Sequence, residues 1–369
     1  MKEKILTFVK KEVVLVVATI LAIVSTFVVP PSSAYMDYID WHVLELLLCL
    51  MTVMAGLQKC GLFDWLGEAL LKRTHKVWQL CLVLVMLCFF LSMIITNDVA
   101  LITFVPFAIV ALEKSHQERL LIPVVVLQTV AANLGSMLTP IGNPQNLYLY
   151  NLSGMSLDEF LLCMLPNTAI SFVLLLLGIL FLKGKSDEVQ QSDLESTKLE
   201  KKPTLVYLGL FLLSLLVVAK IMQVEVVVLI VAVVVFVLDK QVLKNVDYCL
   251  LLTFISFFIF TGNLGSIPAI CEMLQQLVNG RELIVGVVAS QAISNVPAAL
   301  LLSGFTSDYR ALLAGVNIGG LGTLIASMAS LISYKILANK YDEQKGKYFK
   351  SFTLVNIVFL VILLIVNLL

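Results

Sequence analysis

The sequence predicts an all-α polytopic membrane protein, and three observations carry that prediction. Of its 369 residues 60% are apolar and 14% charged, with a mean hydropathy of +0.99, whereas a soluble domain carries about 25% charged residues. The apolar residues fall in stretches long enough to cross a bilayer, for which about 20 residues suffice. Polar residues interrupt these stretches at matching places in the two halves of the chain. Lysine plus arginine balance aspartate plus glutamate at 25 each, so no surplus charge points to nucleic acid.

Residues 12–29 form the first expected span. Its apolar run is longer than the 7–15 residues of a signal peptide, which argues against cleavage near Ser32, Ser33 and Ala34. Further spans are expected at 42–58, 120–150, 158–182, 204–220, 222–238, 248–264, 309–334 and 352–368, making about nine. The stretches 77–113 and 282–304 are each broken near the middle, by Thr96, Asn97 and Asp98 in one and by Ser294 and Asn295 in the other. Both read as re-entrant hairpins. Residues 61–71 have the spacing of an amphipathic interfacial helix, with a counterpart near 266–277.

Charge placement supports the hairpins, because cytoplasmic loops hold the excess of lysine and arginine. With both hairpins returning to the side they entered and the N-terminus inside, all of the 25 basic residues except Lys220, Arg281 and Arg310 are cytoplasmic. Stretching either hairpin into a single crossing would destroy that asymmetry. The C-terminus then lies outside. The order span, span, hairpin, span, span recurs with opposite orientation, giving a first inverted repeat at 1–182, a cytoplasmic linker at 183–203 and a second repeat at 204–369. Inverted repeats are common in secondary transporters.

The breaks match in residue type. Ser92, Thr96, Asn97 and Asp98 correspond to Ser290, Ser294, Asn295 and Val296. In the broken spans that follow, Asn133, Gly135, Thr139 and Ile141 recur as Asn317, Gly319, Thr323 and Ile325. No water satisfies a free backbone group inside a bilayer, so broken helices occur only where they line a cavity or are buried in protein. Carbonyl, hydroxyl and amide oxygens at such breaks can take a sodium ion from water, while helix N-termini attract anions. Asparagine, serine and aspartate also suit N-caps, and Pro297 suits a first helical turn. Two prolines and a glycine within Thr139-Pro140-Ile141-Gly142-Asn143-Pro144 should unwind the 120–150 span.

Asp98 is the one carboxylate well inside an apolar stretch, where an ionised group costs at least about 2.5 kcal/mol on insertion scales. It is either a coupling residue that binds a proton or sits beside a cation, or an N-cap neutralised by backbone amides. Glu45 and Glu225 lie near the outer ends of their spans and can reach water. Cys49, Cys60, Cys81, Cys88, Cys163, Cys249 and Cys271 show no metal-ligand spacing and read as packing residues. His42, His75 and His116 sit at membrane edges or in loops. Without an embedded nucleophile and base, a second aspartate or a metal motif, an intramembrane enzyme is not expected.

These motifs resemble the ion transporter superfamily with the citrate-transporter-like domain, which includes arsenite permeases, a sodium/proton antiporter family and divalent anion–sodium symporters. The most telling pieces are Thr96-Asn97-Asp98-Val99-Ala100-Leu101, Thr139 to Leu147, and Ser294-Asn295-Val296-Pro297-Ala298. The resemblance implies a scaffold domain, a mobile transport domain bearing both hairpins, a homodimer, an elevator motion and the inner membrane of a bacterium. It also implies one sodium site at Ser92, Thr96, Asn97 and Gly142 and another at Ser290, Ser294, Asn295 and Ala326. Substrate would sit among Asp98, Thr139, Asn143, Pro144, Val296, Pro297, Thr323 and Ser327.

The dicarboxylate symporters carry a threonine after each hairpin asparagine, where this chain has Asp98 and Val296. Asp98 would repel a dicarboxylate, and its place is closer to the arsenite-permease pattern. The expected function is therefore secondary active transport of a small inorganic or organic anion, coupled to protons or sodium and needing no cofactor beyond that ion. A cation/proton antiporter on the same fold is the alternative.

Overall fold

The computed structural model describes residues 12–72, 74–182 and 198–369. The first residues of the chain and most of the expected linker, 183–197, lie outside the described residues. Helices account for nearly all of what is described, and no strand occurs among these residues.

The first half begins with α1 (Val13–Thr26), the short α2 (Ala34–Tyr38), α3 (Trp41–Lys59) and the amphipathic α4 (Leu62–Leu71). The Asp40 side chain starts α3 by accepting from the Val43 N–H at 3.0 Å. A hairpin follows, α5 (Val77–Ile95) and α6 (Asn97–Lys114), joined by the single residue Thr96. Next come α7 (Leu121–Ser136), an irregular stretch at 137–143 and α8 (Pro144–Ser153). The Asn143 side chain caps α8 and Pro144 fills its first turn, an arrangement favoured because proline has no N–H to leave unsatisfied. A Ser156–Glu159 capping box starts α9 (Leu157–Leu180).

The second half contains α10 (Lys201–Val218), α11 (Val224–Asp239), α12 (Tyr248–Gly265) and the amphipathic α13 (Pro268–Val278). Its hairpin is α14 (Glu282–Ile293) and α15 (Asn295–Leu302), joined by Ser294 alone. Then α16 (Tyr309–Ile318) breaks at 319–327 and resumes as α17 (Met328–Lys340), before α18 (Lys345–Leu368) ends the chain.

Eight helical segments among the described residues are long and apolar enough to cross a membrane. They are not the same set as the spans drawn from apolar runs. The first arm of the first hairpin, Val77–Ile95, is itself long enough, whereas Val13–Thr26 has 14 described residues, about 21 Å at 1.5 Å per residue. The expected 309–334 span is divided by its break into two short helices.

The helices pack in two groups. α1, α3, α10, α11 and α12 pack together, and α5 to α9 pack with α14 to α18. The Lys59–Asp239 ion pair lies within the first group, and Lys340–Glu113, at 2.7 Å, within the second. Both join helix ends that the charge pattern assigns to the cytoplasm. Arg310 pairs with Glu159 at 3.4 Å where the same pattern predicts the outside. Along the seam between the groups lie two cavities lined by several of the expected site residues.

Candidate functional site

The hairpin tips have nearly the same backbone geometry. Thr96 has φ 70° and ψ 149°, and Ser294 has φ 74° and ψ 154°. Left-handed φ at a residue other than glycine costs about 1–3 kcal/mol and persists where the surroundings over-determine it. The tip asparagines also match. The Asn97 Oδ1 accepts from the Asp98 N–H and the Asn295 Oδ1 from the Val296 N–H, each at 3.0 Å.

The glycines of the broken helices let the hairpins approach. A Cβ at Gly135 would stand 2.0 Å from the Phe89 carbonyl oxygen and 2.6 Å from the Ser92 hydroxyl; at Gly319 it would stand 2.7 Å from the Ser290 hydroxyl. The threonines act in parallel: the Thr139 hydroxyl donates to the Met93 carbonyl, and the Thr323 hydroxyl to the Gln291 carbonyl at 3.2 Å. Met93 and Gln291 each precede their tip by three residues.

Hydrogen bonds between the broken helices obey the same correspondence. The Asn133 Oδ1 accepts from the Ser327 hydroxyl at 3.0 Å, and its Nδ2 donates to the Ser330 hydroxyl at 3.2 Å. Reciprocally, the Asn317 Oδ1 accepts from Asn143 Nδ2 at 3.3 Å, and its Nδ2 donates to Asn146 Oδ1 at 2.7 Å. Asn97 Nδ2 joins this lattice by donating to Asn133 Oδ1 at 3.1 Å. A buried asparagine is costly unless paired, so these contacts fix the breaks in place.

A cavity of about 290 Å³ opens beside both tips, lined by Asn97, Asp98, Pro144, Asn295, Pro297 and Ser327 among others. An adjoining one of about 200 Å³ adds Thr96 and Asn143 and shares Asp98 and Pro144. The wall formed by the first helix group includes Leu47 and Met51 of α3 and Leu250 of α12. Glu12 and Asp247, at the starts of α1 and α12, and Lys335 within α17 also line the larger cavity, on the side that the charge pattern places toward the cytoplasm. The N-terminal ends of α6, α8, α15 and α17 all border it, through Asn97, Pro144, Asn295 and Met328. Each such end carries roughly half a positive charge.

The expected site residues therefore divide. Thr96, Asn97, Asp98, Asn143, Pro144, Asn295, Val296, Pro297 and Ser327 line the two cavities. Ser92, Thr139, Gly142, Ser290, Ser294, Thr323 and Ala326 do not, and bind the framework around them. Ser92 and Ser290 hydroxyls donate to Phe89 and Gly286 carbonyls. The Ala326 carbonyl accepts from the Asn295 N–H at 2.9 Å and from the Ser294 hydroxyl. A Cβ at Gly142 would stand 2.0 Å from the Ser136 carbonyl oxygen. Thr323 is exposed.

Asp247 and Gln145 are among the cavity residues that sequence reasoning missed. Asp247 caps α12 through the Leu250 N–H and was legible only as a loop residue before a span. Gln145 is an uncharged amide one position beyond a proline break, and that position was its only signal.

A multi-span helical fold with paired hairpins and breaks meeting at one seam defines a membrane transporter. A family model described as "Citrate transporter" matches residues 4–308, and the chain belongs to that family. Inner membrane protein YbiR of Escherichia coli strain K12 is 34% identical over 304 residues, covering 81% of this chain and 80% of YbiR. An uncharacterized transporter of Methanocaldococcus jannaschii is 33% identical over 300 residues, 81% of each chain. A silicon efflux transporter of rice, Oryza sativa subsp. japonica, is 33% identical over 140 residues, 38% of this chain and 28% of its own length.

Proposed function

We propose that the protein is a secondary active transporter that moves a small anion or oxyanion across the inner membrane of a bacterium, coupled to protons or sodium. The observation that carries this reading is the convergence of four helix N-termini on one cavity, a pattern that favours negative charge without a lysine or arginine at the tips. A cavity of about 290 Å³ lies near the lower end of ligand pockets, about 300–1,000 Å³, and suits a small solute. The family description names citrate and the rice relative's name silicon, both small solutes.

In this reading the N-terminus is cytoplasmic and the C-terminus outside. Residues 1–182 and 204–369 are inverted repeats joined by 183–203. The reciprocal Asn133 and Asn317 contacts, and the twin tips, support the repeat. The group holding both hairpins moves against the other as an elevator, within a homodimer, and carries solute and coupling ion together. The cavity's placement on the seam supports that motion. Ser92, Thr96, Asn97 and Gly142 serve one sodium site and Ser290, Ser294, Asn295 and Ala326 the other. Their neutral oxygens suit a hard cation. Asp98, unpaired at one carboxylate oxygen among the described residues, is the proton-linked residue.

The second reading, a cation/proton antiporter, draws on the two carboxylates Asp98 and Asp247 that share the cavity. Flux measurements in vesicles under imposed pH, sodium and potential gradients separate the two. Anion movement driven by either cation gradient, without obligatory cation exchange, is the expected result. Cation-for-proton exchange with no anion movement would overturn the first reading in favour of the second.

A further inference from the structure

The asparagines and serines of the broken helices that obey the correspondence between the two halves satisfy one another across the breaks. The departures behave differently. Asp98 stands where the second hairpin has Val296, and Gln145 stands where the second broken helix has Ala329. Both line the larger cavity. Gln145 is 1% exposed, yet neither its Oε1 nor its Nε2 has a hydrogen-bond partner among the described residues, and Asp98 Oδ1 has none either. A buried amide left wholly unpaired is costly, by about 1–3 kcal/mol for each missing bond. Such a group persists where a ligand, an ion or an ordered water completes it, and here it faces the cavity.

We infer that Gln145 is the specificity residue of this site, selecting an oxyanion or oxyacid that carries at least one O–H donor beside its acceptor oxygens. The inference rests on the transporter reading above and names the substrate class of the same cavity. The donor and acceptor inventory requires it. Gln145 Nε2 offers N–H groups, and the four helix N-termini add positive partial charge, both of which acceptor oxygens satisfy. Gln145 Oε1 and the Asp98 carboxylate offer acceptors, which call for a donor on the ligand, and on an oxyanion or oxyacid that donor is an O–H. A fully ionised acceptor-only anion would leave the Gln145 oxygen unpaired and face the Asp98 carboxylate. A site built to bond a ligand hydroxyl rejects the analogue lacking it far more strongly than an apolar pocket can.

Binding to the purified protein, followed by titration calorimetry, tests this with small probes, of which phosphate and sulfate are matched in size. Dihydrogen phosphate, boric acid and orthosilicic acid carry O–H donors; sulfate and succinate at neutral pH do not. The wild type is expected to bind at least one hydroxyl-bearing probe at least tenfold more tightly than either acceptor-only anion. Gln145→Met, which keeps volume and removes both polar atoms, is expected to weaken that binding about tenfold or more while leaving sodium-induced thermal stabilisation as it is in the wild type. Should Gln145→Met not fold, Gln145→Glu retains the size and loses the N–H donors, and the same loss is expected. Wild-type affinity in the folded variant, equal binding of sulfate and phosphate, or failure of every hydroxyl-bearing probe overturns the inference. Gradient-driven flux of another solute would still leave the transporter reading in place.

Discussion

At the scale of single residues, Asp98 carries the most consequence. A carboxylate within an apolar stretch has to be paired, protonated or functional, and beside the cavity one of its oxygens has no partner among the described residues. Asp98→Asn keeps shape and hydrogen-bonding capacity and removes the titrating group. It should fold normally and lose the pH dependence of transport; unchanged pH dependence in reconstituted vesicles would refute the proton-linked role. Asn97→Ala and Asn295→Ala should each weaken sodium binding by about tenfold or more, since each removes an amide that positions a hairpin tip. Sodium-dependent thermal shifts at wild-type midpoints would refute that assignment. Asp98 was legible in the sequence because charge stands out in an apolar run. Gln145 was not, because an uncharged amide beside a proline looks like any helix cap, and only the lack of partners distinguishes it.

At the scale of elements, the tight approach of hairpin and broken helix makes glycine decisive. Gly135→Ala would place a methyl 2.0 Å from the Phe89 carbonyl, a backbone clash that cannot be relieved by a rotamer. It should lower stability by about 1–3 kcal/mol. Gly209, on α10 with nothing near it, is the control, and Gly209→Ala should be neutral or stabilising by up to about 1 kcal/mol. Thermal unfolding of the two variants in detergent checks the contrast; equal effects would contradict the packing argument.

The hairpins and breaks were readable because prolines, glycines and small polar residues interrupt long apolar runs. Helix ends were less so. The last span was expected at 352–368, yet α18 begins at Lys345, because an apolar run marks the membrane-embedded part of a helix rather than its hydrogen-bonded length. Lysines at 345, 347 and 350 extend the helix into the polar interface, where long side chains reach water.

At the scale of the whole molecule, function rests on two helix groups meeting at a seam. Sequence supplied the order of elements and the side on which charges collect, but the Asn133–Ser327 and Asn317–Asn146 contacts join residues more than 170 positions apart, and no local pattern encodes such pairing. The seam itself is testable. Gln58 of α3 donates to Thr103 of α6 across it at 3.4 Å. In a background lacking the native cysteines, Gln58→Cys with Thr103→Cys should be joined by a short bifunctional thiol reagent, and transport should stop. Continued transport by the joined protein would exclude sliding at that contact.

Accumulation in sealed proteoliposomes bears on coupled transport most directly. With an imposed proton or sodium gradient and a hydroxyl-bearing oxyanion at equal concentration on both sides, the solute should concentrate on one side and return to equality when an ionophore collapses the gradient. Movement of solute only down its own gradient, indifferent to both ions, would contradict coupled transport and make the protein a passive pore.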